Sequence, residues 1–274
     1  MTFVFVHGSF SNSFSWTPLM RELTLLGHRA LAVDLPGHGF SAGFPASYQA
    51  PQDLTVLATA PSVMADLTMA DAVDHVADVV RRAAEHGPVV LVGHSRGGLT
   101  VTGVGNRVPE LLDRIVYMSA WCCVDLTVGE YMNAPEYESA MGGVLVGAPT
   151  IVGALRTNWR TADPGMLAEL KTAMFAEGTE REFLAFLNTL EPDECIDGGI
   201  ERVNPKTWGK IPHTYVRLAR DTSIPVALQD RFIREADALT PGNPFDVHTL
   251  DSSHVGFLVR PAKAAALLAC QLPT

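Results

Sequence analysis

The stretch that most constrains this chain is Gly93-His94-Ser95-Arg96-Gly97-Gly98, because of what flanks it. Pro88 to Val92 is a short apolar run that reads as a buried strand. Leu99 to Val108 reads as a helix, stopped by Pro109. A Gly-x-Ser-x-Gly between strand and helix is a turn so sharp that the serine hydroxyl stands clear of the sheet. Glycines are needed there because a Cβ would collide with the neighbouring strand and helix. The helix N-terminus beyond Ser95 supplies free N–H groups and a partial positive charge, which suit a developing oxyanion. A glycine-rich structural turn is the alternative; the strand-to-helix context favours a nucleophile.

The rest of the chain supports a buried enzyme core. Its 274 residues, 47% hydrophobic and 18% charged, fit one large α/β domain or one domain with a sizeable insertion. A net charge of −10 with no basic patch excludes a nucleic-acid partner. The charge is unevenly placed: residues 122–205 hold 14 Asp and Glu against 5 Lys and Arg. That segment is read as a solvated outer face, in preference to a device that disfavours anionic substrates. Cys122, Cys123, Cys195 and Cys270 show no metal-ligand spacing and read as structural thiols of a reducing compartment. The chain enters a strand directly after Met1-Thr2, without a leader pattern, and no apolar run reaches membrane-spanning length. A cytoplasmic protein with no membrane partner is expected. No phosphate-binding loop, dinucleotide fingerprint or metal triad is present, so no cofactor is expected.

Apolar runs at 3–6, 30–33, 89–92, 115–118, 214–218 and 245–250 read as strands. They alternate with helical patterns at 14–26, 71–86, 99–108, 226–236 and 261–270, which predicts a parallel sheet covered on both faces. In the helix at 71–86, Val73, Val76, Val80 and Ala83 form one apolar face, and Thr68 with Asp71 forms a capping box. The rhythm breaks twice. Residues 40–67 read as a surface excursion over one edge. Residues 122–205 carry helices of their own: Asp163-Pro164 starts one with Leu167, Leu170 and Met174 on a face, and Gly178 ends it. Thr179 with Glu182 caps another carrying Phe183, Phe186, Leu187 and Leu190. Residues 122–205 are therefore read as a helical cap, inserted into a core of 1–121 and 206–274.

A serine hydroxyl needs a base, and the base needs an orienting carboxylate. Of nine histidines, His254 alone sits in a loop directly after the last strand, in Asp251-Ser-Ser-His254. Asp221 follows the strand at 214–218 and completes the chain order Ser, Asp, His. Asp125, after the preceding strand, competes for the acid role, while Asp251 is read as an Asx brace of its own turn. The oxyanion needs two N–H donors. Arg96 supplies one as the residue after Ser95. The other is assigned to Ser9 in Val6-His7-Gly8-Ser9-Phe10, with Phe10 as the alternative. The Arg96 side chain is read as a surface or cap salt bridge.

With His7-Gly8, Asp34-Leu-Pro-Gly-His-Gly39, the Ser95 turn, Asp221 and His254 in order, the chain resembles the α/β-hydrolase superfamily over nearly its whole length. Within it, the chain is similar to the branch of plant methyl-salicylate esterases, hydroxynitrile lyases and bacterial esterase-like members. The resemblance implies the α/β-hydrolase fold with a six-stranded parallel sheet in order 2-1-3-4-5-6. The lyases carry threonine where this chain has Gly8 and lysine where it has Val255. Dehalogenases and epoxide hydrolases carry aspartate where it has Ser95. These departures favour hydrolysis of a carboxylic ester by Ser95, His254 and Asp221 through an acyl-enzyme. The apolar residues Met132, Met141, Trp159, Met174, Phe175 and Phe186 point to a neutral apolar or aromatic small-molecule ester. Two rivals stay open: non-hydrolytic chemistry (a lyase, a cyclase or a cofactor-free reaction) on the same scaffold, and a ligand-binding receptor. A monomer and a homodimer are equally compatible with the sequence.

Overall fold

A computed structural model describes residues 1–137 and 145–270. Six strands form one parallel sheet: β1 (Thr2–Val6), β2 (Arg29–Val33), β3 (Val89–Ser95), β4 (Leu112–Ala120), β5 (His213–Leu218) and β6 (Asp246–Leu250). Their spatial order is β2-β1-β3-β4-β5-β6. A further pair of two-residue strands, Leu155–Arg156 and Asp193–Glu194, lies between β4 and β5 in the chain. If these are counted too, the last two sheet strands become the seventh and eighth. The edge strands β2 and β6 are mostly half-exposed, whereas β1 is buried along its whole length.

Alternation along β1 separates the two cores. Val4 and Val6 face helices α2 (Met69–Ala84), α3 (Gly97–Arg107) and α6 (Val226–Leu239). Phe3 and Phe5 face α1 (Thr17–Leu25) and α7 (Pro261–Cys270). The α2 capping box forms as read, with the helix starting at Met69 because Thr68 is its N-cap. The predicted helix at 14–26 is instead a 3₁₀ turn, Ser13–Trp16, followed by α1, whose start is set by Pro18.

The segment between β4 and β5 carries α4 (Pro164–Met174), capped by Asp163, and α5 (Glu180–Leu187), capped by Thr179 with Glu182. Leu170, Met174, Phe175, Phe183 and Leu187 form a small core there. Residues 40–67 are not a bare surface excursion. Tyr48, Leu57 and Met64 are buried. Arg156 donates to the carbonyls of Leu57 (2.8 Å) and Ala60 (2.7 Å), and Ser62 N–H donates to Val152 O. Three backbone groups of this long connection are thus satisfied by the insert, and others by its own turns. Among the described residues, no helix is long and apolar enough to cross a membrane.

Candidate active site

Ser95 ends β3 with φ +53°, a left-handed conformation that a non-glycine residue adopts only when its surroundings impose it. The glycines around it allow the crowding. A Cβ on Gly93 would lie 2.9 Å from Gly97 O, and one on Gly97 would lie 2.6 Å from Val6 O and 2.7 Å from His7 O. Helix α3 thus starts pressed against the end of β1. A Cβ on Gly8 would stand 2.8 Å from Ser95 Cβ, so this backbone has no room for the lyase threonine.

Asp221 follows β5 and His254 follows β6, two neighbouring strands whose C-terminal ends bring them together. His254 Nδ1 donates to Asp221 Oδ2 at 2.6 Å. In the neutral ring this leaves Nε2 as the acceptor nitrogen, the form a general base needs. Asp221 is buried, and its Oδ1 accepts the amides of Ser223 (2.7 Å) and Ile224 (3.0 Å). Ser119, at φ +39° near the end of β4, donates to Oδ2 at 2.6 Å. Burial works to raise the Asp221 pKa. His254, Ser119 and the Ile224 amide outweigh it and hold the carboxyl below its ordinary value. Asp125 is exposed, because its loop is turned by the Tyr131 hydroxyl, which accepts the Val124, Asp125 and Leu126 amides. Asp251 does not brace its own turn; its carboxylate extends outward to Arg220 Nε at 2.8 Å.

Two supports of the histidine loop lie outside the sequence-predicted set. His94 Nε2 donates to His254 O at 2.9 Å. Burial and then the charge of His254 push the His94 imidazole down to about 3, so it is a neutral donor. From the insert, Glu177 accepts the Ser253 amide at 2.5 Å, and Val255 N–H donates to Met174 O at 2.9 Å.

The loop after β1 passes over Ser95. His7, pushed down to about 3 by burial and by His38, donates from Nδ1 to Gly8 O and accepts Leu35 N–H at Nε2. The Phe10 amide is already engaged, donating to Glu194 Oε2 at 2.9 Å. Of the two amides considered on this loop, that of Phe10 is thus occupied. The Arg96 side chain forms a salt bridge to the insert: Nε lies 3.3 Å from Glu194 Oε1, and Nη2 donates to Asp197 O.

The acidic excess of 122–205 is not wholly a solvated face. Glu191, Asp193 and Glu194 are 2–3% exposed. His38 Nδ1 meets Glu191 at 2.9 Å, its Nε2 faces Glu194 at 3.7 Å, and Arg156 Nε and Nη2 reach Asp193 at 2.5 Å each. Buried carboxylates need such partners, and these come from 37 to 156 positions away in sequence. The one local signal was the clustering Glu191-Pro-Asp-Glu194 itself. Among the described residues, no group of three or more His, Cys, Asp and Glu is arranged to hold a metal ion.

The family model described as "Alpha/beta hydrolase family" matches residues 3–267. The chain belongs to that family. Among curated relatives, Methylesterase 10 of Arabidopsis thaliana is 32% identical over 119 residues, 43% of this chain and 37% of that protein. Putative methylesterase 14, chloroplastic, of Arabidopsis thaliana is 22% identical over 97% of this chain and 70% of its own length. Pheophorbidase of Raphanus sativus is 23% identical over 85% and 81%. Among solved structures, polyneuridine aldehyde esterase superposes with a TM-score of 0.70 at 22% identity, covering 98% of both chains. A pyrethroid hydrolase superposes with a TM-score of 0.72 at 20% identity, covering 98% of this chain and 96% of its own.

In this alpha/beta hydrolase, Ser95, His254 and Ser9 line one cavity of about 540 Å³. Among the described residues, its wall carries no Asp, Glu, Lys or Arg. Of the apolar residues singled out from sequence, Met132, Trp159, Met174 and Phe186 line it. Phe175 packs instead in the insert's own core, and Met141 lies outside the described residues.

Proposed function

We propose that this chain is a serine carboxylic-ester hydrolase. The observation that carries the reading is the 2.6 Å contact of His254 with Asp221 beside the positive-φ Ser95, on the wall of one apolar cavity. The relatives named as esterases favour the same chemistry.

Ser95 Oγ attacks the ester carbonyl while His254 Nε2 takes its proton, and Asp221 holds the imidazole in the required tautomer. The tetrahedral oxyanion sits between the amides of Ser9 and Arg96. Collapse expels the alcohol, protonated by His254. A water molecule, deprotonated by His254, then attacks the acyl-enzyme and releases the acid. The uncharged wall suits a neutral apolar or aromatic ester, because an anionic acyl group would lose its hydration with no cation to meet it. Residues 122–205 act as the cap over the core of 1–121 and 206–274.

The test is hydrolysis of p-nitrophenyl butyrate together with labelling by a fluorophosphonate. Wild type should turn over and be labelled, and Ser95→Ala should do neither. A folded wild type that is neither labelled nor active would overturn the reading.

A further inference from the structure

Phe10 has φ +59°, a left-handed conformation that a bulky residue adopts only where its surroundings hold it. Both of its backbone polar groups are held by the insert. Its N–H donates to Glu194 Oε2 at 2.9 Å, and its carbonyl accepts Glu191 N–H at 2.8 Å. Its ring meets Trp159 edge-on, with centroids 5.2 Å apart. The anchored Phe10 N–H shares its peptide plane with the Ser9 carbonyl, so only the φ and ψ of Ser9 separate that fixed plane from the Ser9 amide.

The second oxygen of the same carboxylate reaches the other half of the site. Glu194 Oε1 lies 3.3 Å from Arg96 Nε, on the residue that follows the nucleophile. It also accepts the Cys195 amide at 2.9 Å and faces His38 Nε2 at 3.7 Å. Glu194 is 3% exposed, and the groups around it are Arg96, His38 and, behind His38, Glu191, His7 and Asp34. Burial alone would raise the Glu194 pKa; Arg96 and His38 reverse this and hold it at about 2. One carboxylate carried by the insert thus touches Phe10, next to one oxyanion amide, and Arg96, which owns the other.

We propose that Glu194 is a positioning residue that sets the spacing of the Ser9 and Arg96 amides, so that the insert completes the oxyanion site as well as covering it; this rests on the ester-hydrolase reading above. The carboxylate does not touch the reacting atoms. Its contribution should appear where negative charge develops on the carbonyl oxygen, and not in ground-state binding.

The experiment compares wild type, Glu194→Ala, Glu194→Gln and Gln52→Ala on p-nitrophenyl butyrate. Each variant is checked for folding by circular dichroism, and each is titrated with a trifluoromethyl ketone that forms an oxyanion adduct with serine. Gln52→Ala is the loosening control: it removes the amide pair that Gln52 makes with Asn158 of the insert, a pair with no hydrogen bond to Phe10, Glu194 or Arg96. Glu194→Ala should lower kcat ~100-fold, the scale of losing one oxyanion donor, with KM within about twofold. Ketone affinity should fall by a similar factor. Glu194→Gln keeps an acceptor for the Phe10 amide but loses the charge facing Arg96, and should lose roughly tenfold. Gln52→Ala should melt lower with kcat unchanged. If Glu194→Ala keeps its kcat, or if Gln52→Ala loses kcat equally, the positioning role is overturned while the hydrolase reading stands. An inert, unlabelled wild type would overturn that reading and this inference with it.

Discussion

His94 and His254 are joined side chain to backbone: His94 Nε2 donates to the His254 carbonyl at 2.9 Å, and the two rings lie 4.5 Å apart. The residue before Ser95 therefore braces the backbone of His254, the proposed base. His94→Ala leaves a buried carbonyl without its donor and empties space beside Trp16 and Phe257. Urea unfolding should report a loss of about 3 kcal/mol. Activity per folded molecule should fall ~100-fold, the consequence of a base displaced by about an ångström. Unchanged turnover would show that the loop holds His254 without this bond.

Asp221 and Asp125 should separate cleanly. Asp221→Asn should lower kcat by ~10⁴, since the amide favours the wrong imidazole tautomer. Asp125→Asn, at an exposed position, should leave kcat within about twofold. Ser119→Ala removes the hydroxyl that shares Asp221 Oδ2 with His254, a charge-assisted bond of about 1.5–3 kcal/mol. An acid limb of the kcat/KM profile shifted upward in Ser119→Ala would confirm that this hydroxyl helps keep Asp221 ionised.

The crowding at the turn gives a stability test. Gly97→Ala would place a methyl 2.6 Å from Val6 O, a backbone atom that cannot move aside. A destabilisation of about 1–3 kcal/mol is expected from overpacking. Gly129→Ala has nothing within 4 Å of the new methyl and should be neutral or slightly stabilising. Equal melting temperatures for the two variants would contradict the close approach of α3 to β1.

The buried ion network predicts a pH dependence of stability. Burial opposes protonation of His38, but its bonds to Glu191 and Glu194 raise its pKa from 6.5 to about 9. A raised value means this contribution is complete below 6.5 and disappears as pH rises through about 9. Glu194, lowered from 4.5 to about 2, contributes fully above 4.5 and loses its contribution as pH falls through about 2. The urea midpoint should therefore fall between pH 6.5 and 9 in wild type. That fall should flatten in His38→Asn. An identical alkaline slope in the variant would remove His38 as its cause.

The sheet strands were legible in the linear chain because they follow local rules; their order came with the resemblance to the α/β-hydrolase superfamily, and Ser95, Asp221 and His254 were picked out by their places at strand ends. Buried parallel strands read as apolar runs, helices α2, α4 and α5 announce their caps, and each proposed catalytic group sits at or within four residues of a strand end. The same local logic misjudged Asp251, whose carboxylate found Arg220 across the surface, and the segment 40–67, which buries Tyr48, Leu57 and Met64 and lends backbone carbonyls to Arg156. What only the tertiary structure decided is the company the charges keep. Glu191 and Glu194 read as solvated because nothing near them in sequence neutralises them. Folding brings His38 and Arg96 against them from more than 90 positions away. A local pattern records how one element buries its own face, whereas the pairing of buried charges depends on which distant elements pack there.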